Sequence, residues 1–477
     1  MKGVLNTENQ NTLVFLVASM LCMCFGWGVR GSSIGGEKGA MLPGALLGII
    51  CVWYTGSQLL MENVFIFAAA CALGYFYGGM ETYGSTMGLV LQHNSPRYNP
   101  SLGYLALAFK GSIWGTLGAG FLGVSFSAMS GVIYKWYDFV IFFALVPTLQ
   151  HFGYQLFNTP FDPQNGKMPK ICFSEKRREE WGRNLAVITA LLILTVIRKD
   201  YFGIIMMAGG ALAGSVGWVV GIAFYDKQLH QLKNGKRMFG KFSEYRIIDG
   251  WKIMEFTQGC FNGLIIGGAF ILGWPIAAKN LEQAETAGQL WHILPQQLDT
   301  ALSWLFCALI ILSPLLFIIP YNKEKHIDAN FLEAIERPLY MVLPLCLIML
   351  GSVTMAEIIC CFTMYFVIAQ HDATERFNKY KHIRLIRVSL LLIGIAVISV
   401  QAVRGFTLFE TWIFYCTGYH IFDAAVLFHP DKIKEKLKNT SSFKELIVSL
   451  GAAATVQPFF YLLAIIMLIF GYTNFRV

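Results

Sequence analysis

Charged side chains are scarce in this sequence: 14% of 477 residues, against about a quarter in soluble domains. Too few are present to coat a water-facing surface, and the mean hydropathy is +0.53. Short apolar–polar alternation is also missing, which excludes the strands of a membrane barrel. There is no C-x-x-C pair and no G-K-[ST] ending, so neither a zinc site nor a nucleotide-binding loop is expected. Basic residues form no stripe along a helix, which removes the footprint of a nucleic-acid binder. No metal, nucleotide or other cofactor is called for.

What is present is a series of continuous apolar runs. A helix needs about 20 such residues to cross roughly 30 Å of hydrocarbon. The runs fall at 11–30, 39–60, 62–91, 101–128, 131–158, 183–199, 201–226, 250–278, 299–320, 338–370, 387–403, 405–428 and 447–472. The fold class is therefore all-α, a polytopic membrane helix bundle of about 12–14 transmembrane segments. Residues 1–158 form an N-terminal bundle, 159–182 a loop, 183–278 central helices, and 279–477 a C-terminal bundle. Thr12–Phe25 runs into GWGVRGSS without a cleavage pattern and reads as the first helix rather than a leader.

Loop charge sets the orientation, because Lys and Arg are retained in the cytoplasm. Segments 159–182 and 227–248 are rich in both and belong inside, which makes 183–226 a hairpin. Segment 279–298 has Lys279 against Glu282 and Glu285 and belongs outside. A single crossing at 338–370 would then place Arg376, Lys379, Lys381 and Arg384 on the wrong side. That run is also long and carries Pro344 and Gly351, so it is expected to be broken or re-entrant. The expected location is the plasma (inner) membrane of a bacterium, multi-pass. Of the eleven cysteines all but Cys172 lie in or beside apolar runs, where a free thiol acts as a small hydrophobe.

The residues that could carry chemistry are the charges inside these helices, where an ionised group costs several kcal/mol unless paired or hydrated. Gly26–Gly48 reads GWGVRGSSIGGEKGAMLPGALLG. Its glycines let backbone approach closely, and Arg30 and Glu37 are candidates for solute binding. The plainer alternative is a cytoplasmic turn with Arg30 and Lys38 as orientation charges. Glu81 lies in the 62–91 run with Gly84 and Gly88 on its face, and Lys110 lies well inside 101–128. Lys110 would attract an anionic solute or neutralise Glu81. Glu255 has Gly259, Asn262 and Gly263 on its face, with Asn262 a further solute-binding candidate and Lys252 a possible partner. Glu357 stands in the broken segment, where a carboxylate suits ion coupling or a turn between two passes.

His420 and Asp423 share a helix face one turn apart and suit proton relay. His371, Asp372, Glu375 and Arg376 form a polar cluster that a solvated helix end explains equally well. Met80-Glu81 with Gly84 and Gly88 is echoed by Met254-Glu255 with Gly259 and Gly263, as a weak inverted repeat would require. Gly44/Gly48, Gly111/Gly115 and Gly259/Gly263 are helix-packing spacings. Together these features point to a secondary active transporter for a small polar or anionic solute. Glu81, Glu255 and Glu357 would couple it to H+ or Na+. The alternative is a membrane-embedded transferase acting on a lipid-linked or surface sugar, with His420, Asp423 and the cluster from His371 to Arg376 carrying general acid–base work; no catalytic residue is assigned on the transporter reading.

Overall fold

The computed structural model describes residues 12–30, 36–79, 83–174, 178–233, 250–287 and 341–360, with short stretches at 295, 297–303, 305–306 and 363. The helices are α1 (Thr12–Val29), α2 (Gly36–Thr55), α3 (Gln58–Glu62), α4 (Val64–Gly79), α5 (Tyr83–Leu91), α6 (Pro100–Met129), α7 (Trp136–Phe157), α8 (Trp181–Ile197), α9 (Tyr201–Lys233), α10 (Gly250–Thr286) and α11 (Leu343–Met349). Among the described residues there is no strand, only an isolated bridge between Asp162 and Lys167. Four helices are long and apolar enough to cross a membrane: Pro100–Met129, Trp136–Phe157, Tyr201–Leu229 and Ile253–Thr286. Large apolar side chains stand exposed on the outer faces of α7 and α8, among them Ile141, Phe152, Leu156, Val196 and Ile197. In water such a surface would be a liability; against lipid it is the ordinary outside of a bundle.

Six helices close on themselves. Around the ring α1 packs on α2, α2 on α4, α4 on α6, α6 on α9, α9 on α10, and α10 back on α1. Every neighbour runs antiparallel, since the contacting numbers rise on one helix as they fall on the other. Gly44 meets Cys71 and Ala72 while Gly48 meets Phe67 and Ala68; Gly111 meets Gly214 while Gly115 meets Gly210. Glycine seals all six seams. The remaining ones are Gly26 against Pro43, Gly74 against Leu117 and Gly118, Gly217 and Gly221 against Gln258 and Met254, and Gly259 and Gly263 against Cys24 and Met20. Without an aqueous hydrophobic effect between them, membrane helices associate through close packing of this kind. At the last seam the Ser19 hydroxyl also donates to the Gly263 carbonyl at 2.7 Å.

The ring is filled with aromatic side chains in two layers. Toward the Thr12 end of α1, Phe126 and Phe270 sit 5.2 Å apart between ring centroids, and Phe67, Phe202, Tyr54 and Trp274 surround them. Toward the other end Trp27, Tyr75, Trp114 and Trp218 form the second layer. Helices α7 and α8 pair with each other outside the ring, and α11 lies against α4, α6 and α7. Trp136 and Tyr137 are exposed at the start of α7, where an interfacial anchor is expected.

The 338–370 run is interrupted where its glycine lies. Helix α11 ends at Met349, Gly351 takes φ +88°, and helix resumes over 353–360. Only glycine adopts that dihedral at little cost. The span 62–91 contains α4 and α5, with residues 80–82 outside the described set. The glycines of the two Met-Glu motifs differ in their surroundings among the described residues: Gly259 and Gly263 are covered by α1, whereas Gly84 has nothing within 4 Å and Gly88 borders Gln92.

Candidate functional site

The second aromatic layer holds a buried charge pair. Arg30 follows directly on α1 and is 1% exposed. Its guanidinium lies 5.0 Å from the centroid of the Trp27 ring and 4.9 Å from that of Trp114. An arginine between two indole faces is held by cation–π attraction, worth about 2 kcal/mol or more when desolvated. Its Nη1 stands 3.8 Å from Glu255 Oε1, and both side chains are buried. That separation is an ion pair without the 2.7–2.9 Å contact of a charge-assisted hydrogen bond.

The surrounding groups fix these two. Trp114 stacks on Trp218 at 5.4 Å between centroids and meets Trp27 edge-on at 5.1 Å. Its Nε1 donates to the Tyr75 carbonyl at 2.6 Å. On α10, Glu255, Gln258 and Asn262 follow at helical spacing on one face, and all three are buried. Asn262, in the amide orientation that satisfies its neighbours, donates to the Ala213 carbonyl at 2.9 Å and accepts from Trp27 Nε1 at 3.2 Å. Gln258 has no partner for either side-chain atom among the described residues, and the Tyr75 hydroxyl has none either.

Of the sequence candidates, then, Arg30, Glu255 and Asn262 are brought together, through Trp27. Glu37 is close by. It opens α2, half-buried, with its Cα against Gly79 and the Trp114 indole alongside that same glycine. Nothing is described for the side chain of Lys252, so the partner seen for Glu255 is Arg30. Gly259 and Gly263 are occupied by α1 and do not form an open face beside Glu255.

Lys110 belongs to a different cluster. Its Nζ donates to Glu179 Oε1 at 2.7 Å and to Thr86 Oγ1 at 2.9 Å, and it lies 5.5 Å from the Phe173 ring centroid. Glu179 Oε2 accepts from the Phe173 backbone N–H at 3.0 Å. The 159–182 loop thus sends a carboxylate into the bundle, where both charges are almost fully buried. Glu81 lies outside the described residues, and the partner seen for Lys110 is Glu179. Removing one member of a buried pair costs about 3–5 kcal/mol, while replacing both with apolar groups is often neutral. Lys110→Met or Glu179→Leu alone should therefore lower the unfolding temperature markedly in detergent, and the double substitution should recover most of the loss. Additive losses in the double variant would show that the pair does not act as one unit.

At the opposite end of the ring, Asp200 fills the turn between α8 and α9. It accepts from Ser127 Oγ at 2.7 Å, Tyr134 Oη at 2.6 Å and Gly203 N at 2.9 Å. Burial pushes its carboxyl above the usual carboxylate range, and the three donors pull it part of the way back. Asp138 nearby accepts from Arg198 Nε at 3.0 Å. Asp200 thus fastens its turn to α6 and α9 of the ring, and Asp138 ties the start of α7 to the end of α8.

Glu357 is half-buried on the helix that follows Gly351, within electrostatic reach of Asp299. Asp299 accepts from the Ser352 hydroxyl and from Thr354 N and Oγ1 at 3.0 and 2.7 Å. It caps the resumed helix, and the site is remote in sequence from Arg30. His420, Asp423 and the cluster from His371 to Arg376 lie outside the described residues.

Three functional-type residues were missed from sequence. Glu179 sits in a loop whose lysines and arginines mark it as solvated, though its position just before the apolar run 183–199 is a helix-start signal. Asp200 reads as a turn residue. Gln258 lies one turn from Glu255, and extending that face by one more step would have found it. Comparison of the sequence with protein-family models, with curated proteins and with solved structures finds no match.

Proposed function

We propose that the protein is a multi-pass membrane transporter of a small polar solute with an anionic group, held at Arg30 and coupled to an ion through Glu255. The observation that carries this reading is the burial of the pair inside a closed ring. Arg30 follows the end of α1 and Glu255 lies in the opening turns of α10, yet both side chains are buried and Arg30 lies over the ring of Trp114 on α6. Six helices enclose them. A transporter holds its solute between helices, whereas an enzyme acting on a lipid-linked sugar needs its polar groups at one face beside lipid. The basic loops would lie in the cytoplasm of a bacterial inner membrane.

On this reading Glu255 and the solute compete for Arg30. Neutralising Glu255 with H+, or shielding it with Na+, weakens its attraction for the guanidinium and leaves Arg30 to the solute's anionic group. Ion and solute then move together, and Glu255 re-pairs with Arg30 when both have left. Glu37, Glu81 and Glu357 remain candidates for further ion or solute contacts. The test is uptake by the full chain in liposomes, using labelled butyrate, 3-hydroxybutyrate, succinamate and succinate. Uptake of at least one above protein-free liposomes, lost in Arg30→Met, is expected. Uptake that survives Arg30→Met unchanged rules out the Arg30 site.

A further inference from the structure

Among the described residues, Gln258 is the least satisfied polar side chain inside the ring. It is 0% exposed, and neither Nε2 nor Oε1 finds a hydrogen-bond partner among the described residues. A buried polar group left without a partner destabilises the fold, so a leucine of similar size would make a more stable bundle. Asn262, one turn along the same face, has both its amide atoms satisfied, so this stretch of α10 is not generally short of partners. Facing Gln258 on α9 is Gly217, where a Cβ would come 3.0 Å from the Gln258 backbone carbonyl oxygen and 3.2 Å from the Asn262 side-chain amide. On that side the stripe is closed by the backbone of α9, so the Gln258 amide is held in a tight seam rather than in water.

We infer that Gln258 is a specificity-determining residue, whose amide receives a hydroxyl or carboxamide of the solute. This rests on the reading of Arg30 as the group that holds the solute's carboxylate. A hydroxyl or a carboxamide offers both a donor and an acceptor, which is what an amide with both atoms open requires. The rise from Glu255 to Gln258 is about 4.5 Å at 1.5 Å per residue. The recognised group then stands a few bonds from the carboxylate, as in a 3-hydroxy acid or the half-amide of a four-carbon diacid. A plain fatty acid of the same length would bury the amide unpaired and is rejected.

The experiment measures binding of butyrate, 3-hydroxybutyrate and succinamate to the full chain in detergent by calorimetry, for the wild type, Gln258→Leu and Arg30→Met. The wild type should bind 3-hydroxybutyrate or succinamate at least about tenfold more tightly than butyrate, a difference of about 1.4 kcal/mol. Gln258→Leu should unfold at a higher temperature without ligand and lose the preference. Equal affinities in the wild type, a preference retained in Gln258→Leu, or no binding of any probe would each overturn the assignment of Gln258. Binding that is selective for the hydroxyl or amide yet indifferent to Arg30→Met would leave Gln258 in place and instead overturn the Arg30 reading.

Discussion

Gly214→Val will give a chain that does not assemble into a folded bundle. A Cβ on Gly214 would overlap the Gly111 carbonyl, and Gly210 stands in the same relation to Gly115. Over-packing a core by a methylene or two costs about 1–3 kcal/mol when side chains can shift. Here the obstacle is backbone of the facing helix, so α6 and α9 must move apart as units. In a closed ring that motion opens the seams on either side, α4 with α6 and α9 with α10. The expected result is an aggregated product on size-exclusion chromatography, or an unfolding temperature lowered by more than about 10 °C. Gly268→Ala is the control. It too is a helical glycine, on α10, but among the described residues nothing lies within 4 Å of its would-be Cβ. Alanine there should be neutral or stabilising by about 0.5–1 kcal/mol. Similar behaviour of the two variants would show that the α6–α9 seam does not hold the bundle.

The second large effect concerns the charge pair. Glu255→Leu leaves the Arg30 guanidinium buried between two indoles without the carboxylate at 3.8 Å. Removing one member of a buried pair costs about 3–5 kcal/mol, a large part of the 5–15 kcal/mol that a domain typically has. Arg30→Met should be damaging for the mirror-image reason. The double variant, Arg30→Met with Glu255→Leu, should regain most of the stability, because a well-packed apolar pair replaces two desolvated ions. It should regain no uptake. A pair that serves only packing predicts recovery of both properties, so thermal unfolding and liposome uptake measured on the same three variants separate the two roles.

Much of this architecture was legible because its signals are local. The runs at 101–128, 183–199 and 250–278 became helices within a few residues at most boundaries, since lipid demands continuous apolar stretches. The break in 338–370 followed from Pro344, Gly351 and the misplaced basic residues beyond. The G-x-x-x-G pairs at Gly44, Gly111 and Gly259 marked contact faces correctly. Partner choice was not legible, because small-x-x-x-small spacing says that a helix can be approached closely but not by which neighbour. For the same reason the spacing at Gly259 and Gly263 did not say that α1 is the helix that covers them. Lys110 was recognised as needing a counter-charge, yet Glu179, 69 residues away, looked like part of a hydrated loop. Arg30 and Glu255 were singled out separately; only ring closure, which brings α10 back against α1, reveals them as a pair.

The central claim, that solute movement is driven through the Arg30–Glu255 centre, is tested most directly by gradient-driven accumulation in liposomes. Wild type and Glu255→Gln are reconstituted at equal density, and labelled 3-hydroxybutyrate is supplied under an imposed inward H+ or Na+ gradient. The wild type should concentrate the label above its external level with one of the two gradients. Glu255→Gln, which keeps the shape of the side chain and loses its charge, should at most let the label equilibrate. Accumulation by Glu255→Gln equal to that of the wild type would contradict the account.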